Sequence, residues 1–251
     1  MPICLQAQSN PTNSIEAKIV YIMITQLRGN KIEQPAELMI KGSESIFIHS
    51  KGKTGLISVE VEIKQPDGSI LRTQDGYWQD TLGSIFYKNF EKKQLIIREI
   101  VWMQPYLAKE PRLPTINWQI FAEQRKIGKF QCQKAQALFR GRNYTAWFAP
   151  EIPLNDGPWK LQGLPGLILE VYDDKGEVKF LFSSIDIPSE SPIKIISPTN
   201  GLKVSFKDYK KADDLEFEKM KRKSMSVNSD RSSATEVKRV NKNLIEKEYE
   251  Q

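Results

Sequence analysis

Hydrophobic and polar residues alternate with period two over much of the chain, and this pattern predicts β-strands. Residues 59–64 alternate strictly, so three aliphatic side chains lie on one face and three charged side chains on the other. In the following residues Pro66 presets φ and Gly68 accepts a positive φ, which predicts a hairpin with a returning strand over residues 70–78. Residues 15–24 are rich in β-branched side chains and also predict a strand.

Turn residues divide the rest of the chain into short strands. Gly128, Gly141 and Gly176 mark turns, whereas the prolines within residues 105–114 predict a segment without regular structure. Successive hairpins without any βαβ alternation predict a mainly β fold, a curved antiparallel sheet that forms a half-barrel or a sandwich. The further predicted strands cover residues 85–89, 95–103, 118–127, 130–139, 144–148, 167–172, 178–187 and 202–206.

The composition changes near residues 197–201, and the C-terminal part is highly charged. Residues 207–223 predict a helix with a thin apolar side formed by Tyr209, Ala212, Leu215 and Met220. Residues 224–233 are Ser-rich and typical of a linker, and a capping box at 233–236 predicts further helix. We therefore divide the chain into a signal-peptide remnant (1–8), a β domain (9–206) and a charged, helical or partly disordered tail (207–251).

The first eight residues resemble the end of a secretory signal peptide, with Ala7 as the small residue before cleavage. This predicts an exported protein whose mature form keeps Cys132 and loses Cys4. Two isolated cysteines exclude a disulfide-dense scaffold and a cysteine-based zinc cluster, and a lone thiol is expected to be buried. No apolar run reaches the roughly 18 to 20 residues of a transmembrane helix.

Charge excludes one class of partner. The formal net charge is +6, from 37 basic and 31 acidic residues, but the two signs are interspersed rather than gathered in a basic stripe. We therefore predict no nucleic-acid partner, while weak attraction to an anionic membrane surface stays open.

The most specific motif is Gly163-Leu164-Pro165-Gly166-Leu167-Ile168. Together with its flanks, it makes residues 127–172 resemble the GLPGLI family, which is named after this hexapeptide. The resemblance implies an exported protein of Gram-negative bacteria, located in the periplasm or at the outer membrane or cell surface. It implies no reaction, because the family has no established function.

The motif has a structural interpretation. Pro165 and Gly166 suit the second and third positions of a type II turn, the third of which requires a positive φ. The three aliphatics at 167–169 then predict a strand that is covered on both faces. The alternative is a ligand loop, but a phosphate-binding loop would need more glycines, a following helix and usually a lysine.

A search for catalytic groups gives little. His49 is the only histidine, and no serine or cysteine lies in a nucleophile motif. Glu151 and Asp156 bracket an aromatic loop as in some sugar-cleaving sites, although turns also recruit Asp for local hydrogen bonds. We predict no catalytic residue, no metal and no cofactor.

The aromatic residues around this loop allow two interpretations. Trp147 is either a core residue or lines an apolar groove with Trp159, next to arginines that could bind an anionic group. The leading hypothesis is a binding module for a hydrophobic, lipid-like or peptide ligand. The alternative is an envelope protein that docks on a partner through its tail. The candidate ligand-binding residues are Arg140, Arg142, Tyr144, Trp147, Phe148 and Trp159.

Overall fold

The computed structural model describes residues 15–27, 30–64, 67–227 and 246. The predicted signal-peptide remnant and the helical segment after the 233–236 capping box lie outside these residues, apart from residue 246. The described chain forms one sheet of twelve strands, a separate two-stranded hairpin and two helices near the C-terminus. The prediction of a mainly β, antiparallel fold is therefore confirmed.

Most elements are joined by short connections, and the longest ones are residues 150–166 and 187–201. The strands are β1 (Glu16–Leu27), β2 (Asn30–Lys41), β3 (Glu44–His49), β4 (Gly55–Lys64), β5 (Ile70–Gln79), β6 (Ser84–Asn89), β7 (Gln94–Val101), β8 (Gln104–Glu110), β9 (Gln119–Ile127), β10 (Phe130–Phe139), β11 (Arg142–Ala149), β12 (Leu167–Asp173), β13 (Val178–Asp186) and β14 (Leu202–Lys203), and the helices are α1 (Phe206–Tyr209) and α2 (Ala212–Val227).

The large sheet is open, with β9 and β14 at its edges. Its strand order is β14-β8-β7-β6-β3-β2-β1-β13-β12-β11-β10-β9, and the hairpin of β4 and β5 stands outside it. All neighbouring pairs are antiparallel except β14 and β8. The sheet therefore consists of two runs of strands, β14-β8-β7-β6-β3-β2-β1 and β13-β12-β11-β10-β9. The pairing of β1 with β13 joins the two runs.

The sheet curls strongly around the segment between β11 and β12. Trp159 in this segment packs against Phe86 of β6 and Tyr144 of β11, with ring centroids 6.4 and 6.5 Å apart. Between β6 and β11 lie β3, β2, β1, β13 and β12. A flat sheet could not bring strands that distant to one side chain, so the concave face encloses residues 150–166. We call these residues the core loop.

Period-two alternation decides which side chains enter this interior. Along β1, Ala17, Ile19, Tyr21 and Met23 are buried, while Lys18 between the first two is partly exposed. Burying an aliphatic or aromatic side chain of this size contributes about 1.5–3 kcal/mol. The interior of the sheet is therefore the main hydrophobic core of the protein.

Several local predictions were wrong. The predicted irregular segment begins later than expected: residues 111–118 lack regular structure, but β8 contains Pro105, which lies near the start of the strand and close to the sheet edge, where a missing N–H is tolerated. The strand predicted over 202–206 has only two residues, and the charged helix is interrupted between α1 and α2. Of its predicted apolar side, Tyr209 and Ala212 are buried but Leu215 is exposed.

Within the described residues, neither helix combines the length and apolar character that crossing a bilayer requires.

Candidate ligand-binding site

The hexapeptide motif closes the core loop by backbone hydrogen bonds. The amide of Gly163 donates to Asn155 O (3.1 Å), and that of Gly166 donates to Leu164 O (2.8 Å). The next two amides donate to the carbonyls of Ile152 and Asp156, each over 3.0 Å. These amides are directed at carbonyls of the protein itself, so the motif acts as an architectural turn.

The turn is tighter than the type II turn predicted from the sequence. The bond from Gly166 to Leu164 encloses Pro165 alone, which is the pattern of a γ-turn. Gly166 has φ +155°, and a Cβ at this position would collide with the carbonyl group of Ala149. The predicted need for glycine is thus met, but the close approach of the backbone at Ala149 is the stronger reason. Leu167, Ile168 and Leu169 follow as fully buried residues.

Four of the predicted ligand-binding residues lie in the interior around Trp159. Trp159 is 1% exposed, and its ring meets that of Phe139 edge-on and that of Tyr144 in a tilted geometry. Phe148 is fully buried on the same strand as Tyr144. Arg140 is also buried, at the turn between β10 and β11.

Trp147 lies on the other face of β11. Side chains alternate along a strand, so Trp147 is directed away from the face that carries Tyr144 and Ala146. The guanidinium of Arg125 lies over the Trp147 ring at 4.3 Å, and Arg125 also pairs with Glu170. The two tryptophans therefore do not line a common groove.

Arg142 is engaged inside the protein. Its Nη1 donates to Asp173 Oδ2 and to Glu177 Oε2, each over 2.6 Å, and Asp173 also accepts from the amide of Val178. Arg142 and Asp173 are both buried. This pair anchors the β12–β13 turn to β11, which agrees with a local, turn-stabilising role of the aspartate.

Two buried lysines were not singled out from the sequence. The first, Lys88 of β6, is fully buried; its Nζ contacts Asp156 Oδ1 and donates to Gly157 O over 2.9 Å. Burial lowers the pKa of Lys88, although the Asp156 carboxylate opposes this change. The contacts fasten the core loop to the middle of the sheet.

The second lysine, Lys160, lies on the core loop and is also fully buried. Its Nζ is 3.1 Å from Glu110 Oε2 and contacts Glu246 Oε1, while Arg140 pairs with the other oxygen of Glu110. Burial works to lower the pKa of Lys160, but the Glu246 and Glu110 carboxylates outweigh it and raise the pKa above 10.5. We call Lys160, Glu110, Arg140 and Glu246 the charged cluster.

A cavity of about 830 Å³ opens beside the charged cluster. This volume is within the range of about 300–1,000 Å³ that is usual for small-molecule sites. Among the described residues that line it, four are basic and one is acidic, and Phe206 and two prolines provide apolar surface. The lining residues are Glu110, Pro111, Arg112, Pro114, Thr115, Arg140, Phe206, Lys207 and Lys210.

Of the six residues predicted to bind a ligand, only Arg140 lines this cavity. The signal for Lys160 and Lys88 was present in the sequence, since each stands within an apolar, aromatic stretch where a charged residue needs a buried partner. No local pattern pointed to Arg112 or Phe206, because these residues are distant in sequence and meet only at the cavity of the folded chain.

The other residues considered for catalysis are buried or make structural contacts. His49 is buried, its ring stacks on Phe86, and burial lowers its pKa to about 4. Burial raises the pKa of the Cys132 thiol to about 11. Glu151 is exposed and accepts a hydrogen bond from the amide of Gln131 over 3.0 Å. Over the described part of the chain, no group of three or more His, Cys, Asp or Glu side chains is arranged to hold a metal ion.

Comparisons with known proteins give one match to part of the chain and one similarity in fold. A family model described as a protein of unknown function (Porph_ging) matches residues 139–170, which contain Arg140, Asp156, Lys160 and the hexapeptide. No curated protein matches the chain.

Two structures of PNGF-II, in space groups P21 and C2, are similar in fold. Each has a TM-score of 0.51, with 13% and 12% sequence identity. The similarity covers 78% of this chain but only 32% of the PNGF-II chain, so this chain spans about a third of the length of those proteins. At this identity the likeness concerns the fold alone.

Proposed function

We propose that this protein is a non-enzymatic binding module whose cavity takes a ligand with an anionic group and an apolar body. The observation that carries the proposal is the lining of the cavity. Arg112, Arg140, Lys207 and Lys210 stand against the single carboxylate of Glu110. Glu110 already has Arg140 and Lys160 as partners, and the exposed side chains of Arg112 and Lys207 add positive charge that would attract an anion.

The apolar part of the ligand would lie against Phe206 and the two prolines. Phe206 stacks on Tyr209 with ring centroids 5.9 Å apart, and this contact holds the ring at the cavity wall. An aromatic wall below a basic rim suits an amphiphile better than a fully polar anion. This proposal keeps the hydrophobic ligand suggested by the sequence but moves the site away from Trp147 and Trp159.

We also propose that the module acts in the Gram-negative cell envelope. Two features of the sequence support this location, namely the N-terminal resemblance to the end of a signal peptide and the resemblance of residues 127–172 to an exported family.

Calorimetric titration with decanoate tests the proposed function. Decanoate should bind the full chain, and decanol, which has the same carbon chain length without the charge, should bind at least about tenfold more weakly. The double variant Arg112→Gln/Lys207→Gln should also lose about tenfold in decanoate affinity, because it removes two cations from the cavity rim.

The matched control is Lys126→Gln/Lys129→Gln, which changes the net charge equally at exposed positions in and next to β9, outside the cavity. Its decanoate affinity should equal that of the wild type. Equal binding of decanoate and decanol, or no binding of either, would refute the proposed function.

Docking on an envelope partner through residues 207–251 stays an alternative. The exposed Leu215 on α2 could serve such a contact. However, α2 is also tied to the sheet, since Trp102 Nε1 donates to Asp213 over 3.0 Å and Tyr106 bonds to Glu216. Deletion of residues 224–251 would remove Glu246 from Lys160 as well, so Leu215→Glu is the cleaner variant for a partner-capture assay.

A further inference from the structure

Lys160 is a buried cation whose surroundings are suited to binding a negatively charged group. Besides its two carboxylate partners, its Nζ lies 5.7 Å from the ring centroids of Trp159 and Phe206 and 5.8 Å from that of Tyr209. These rings exclude water from the ammonium group and face it with their π electrons. A buried ammonium in this setting requires a closely placed anion.

The two carboxylates that contact Lys160 differ in their other partners. Glu110 ends β8, and its two oxygens are shared between Arg140 and Lys160. Glu246 comes from the C-terminal segment beyond α2, and its Oε2 is buried without a hydrogen-bond partner among the described residues. Among the described residues, Glu246 therefore has Lys160 as its one partner, whereas Glu110 has two.

Glu246 supplies one of the two carboxylates that contact Lys160. Arg140 and Lys160 are matched by Glu110 and Glu246. Glu99 is nearby, where its carboxylate accepts a hydrogen bond from the Tyr209 hydroxyl, and burial raises its pKa. Without Glu246, Lys160 keeps Glu110, which it shares with Arg140, and another anion at the position of Glu246 would restore the second carboxylate contact of this buried ammonium.

The cavity provides the route for such an anion. Glu110, Arg140 and Phe206 line the cavity, and Glu110 and Phe206 also contact Lys160. Lys160 thus lies directly behind the cavity wall. The apolar lining at Phe206 and the prolines then favours a carboxylate that is attached to a hydrocarbon chain.

We infer that Lys160 is a receptor for the carboxylate of a fatty-acid-like ligand, and that Glu246 is the intramolecular occupant which this carboxylate replaces. The inference rests on the proposed function and deepens it, because it names the anionic group and its binding residue. It also makes Glu246 a competitor of the ligand.

The test compares Glu246→Gln with the wild type in decanoate titrations of the full chain. Removing the competing charge should tighten decanoate binding by about tenfold or more and leave decanol binding unchanged. Glu190→Gln is the matched control, because Glu190 is exposed and the substitution changes the net charge equally. It should bind decanoate like the wild type.

A second variant, Lys160→Met/Glu246→Leu, removes both charges together, a change that buried ion pairs tolerate. It should fold and lose the preference for decanoate over decanol. A retained preference would overturn the inference, as would unchanged or weaker decanoate binding by Glu246→Gln.

The two proposals fail in different ways. If wild-type binding depends on Arg112 and Lys207 but not on Glu246 or Lys160, only this inference is wrong. If neither the wild type nor Glu246→Gln binds decanoate, the proposed function and the inference are both wrong.

Discussion

Lys88 and Lys160 are both fully buried and both contact a carboxylate, yet they lie in different environments. Lys88 has one anion, Asp156, and two backbone carbonyls as its further partners. Lys160 has two anions and three aromatic rings, and one of these anions comes from the C-terminal segment. Burial lowers the pKa of Lys88, whereas the two carboxylates raise that of Lys160.

The partners also differ in the contacts that hold them in place. Asp156 is fixed by its neighbours, since it forms a β-bridge with Gln162 and its carbonyl accepts the amide of Ile168. Glu246 has a single partner among the described residues, Lys160, and it lies next to residues that line the cavity. A buried charge pair without an opening serves as a structural fastening, whereas a similar pair beside a cavity can exchange its anion.

The largest expected effect comes from removing Lys88. Lys88→Met leaves the buried Asp156 carboxylate without a cation, and we expect a loss of about 3–5 kcal/mol in the free energy of unfolding. Lys160→Met should cost less, about 1–2 kcal/mol, because Glu246 can turn to solvent while Glu110 keeps Arg140. Urea unfolding measures both, and equal losses would contradict the distinction between the two sites.

Low pH should lower the free energy of unfolding through protonation of the buried His49. Its folded-state pKa is about 4, below the usual 6.5, so protonation favours the unfolded chain. The stabilising contribution is complete above pH 6.5 and is lost as the pH falls towards 4, about 3 kcal/mol in all. Urea unfolding at pH 7 and pH 4 should show this loss in the wild type.

The control for this experiment is His49→Leu, which removes the titrating group and should lose about 3 kcal/mol less than the wild type over the same pH range. Equal pH dependence of the two proteins would show that His49 is not the responsible group.

A smaller effect distinguishes two glycines of the hexapeptide. Gly166→Ala places a Cβ against the Ala149 carbonyl and should cost more than about 2 kcal/mol. Gly163 has φ +92° with open space around a Cβ, so Gly163→Ala should cost about 1 kcal/mol from the backbone alone. Thermal unfolding compares them, and a larger shift for Gly163→Ala would refute the close-approach argument.

The smallest effect is expected at Glu151, which the sequence pairs with Asp156 as a possible acid–base pair. Glu151 is exposed, and the amide oxygen of a glutamine can still accept the hydrogen bond from Gln131. Glu151→Gln should therefore change the free energy of unfolding by less than about 0.5 kcal/mol and leave decanoate affinity unchanged. A large loss of function in this variant, with the fold preserved, would favour an enzymatic role.

The strands were predictable where the local pattern agreed with the sheet. Residues 59–64 lie in β4 and the returning strand is β5, because strict alternation and a Pro-Asp-Gly turn act over a few residues. The long strand β2 was missed, since Pro35 interrupts its pattern and its twelve-residue pairing with β1 fixes its conformation. Pairing of this kind is not visible in a short window of sequence.

The site was predicted only in part, for a related reason. Arg140 lies at the cavity and Trp147 is buried, the alternative that the sequence left open. The interior position of Trp159 depends on the curling of the sheet, which brings β6 and β11 to the same ring. Sequence patterns determine which face of a strand is apolar, but they do not determine which strands that face will meet.

The sequence by itself determined the antiparallel strands, the glycine requirement at residue 166 and the absence of a recognised catalytic motif. These properties depend on side-chain alternation, backbone torsion angles and residue types, all of which are local. The tertiary structure decided that Lys88 is closed off while Lys160 lies behind a cavity with an anion from the C-terminal segment. Burial and charge pairing depend on distances between remote residues, so only the folded chain could set them.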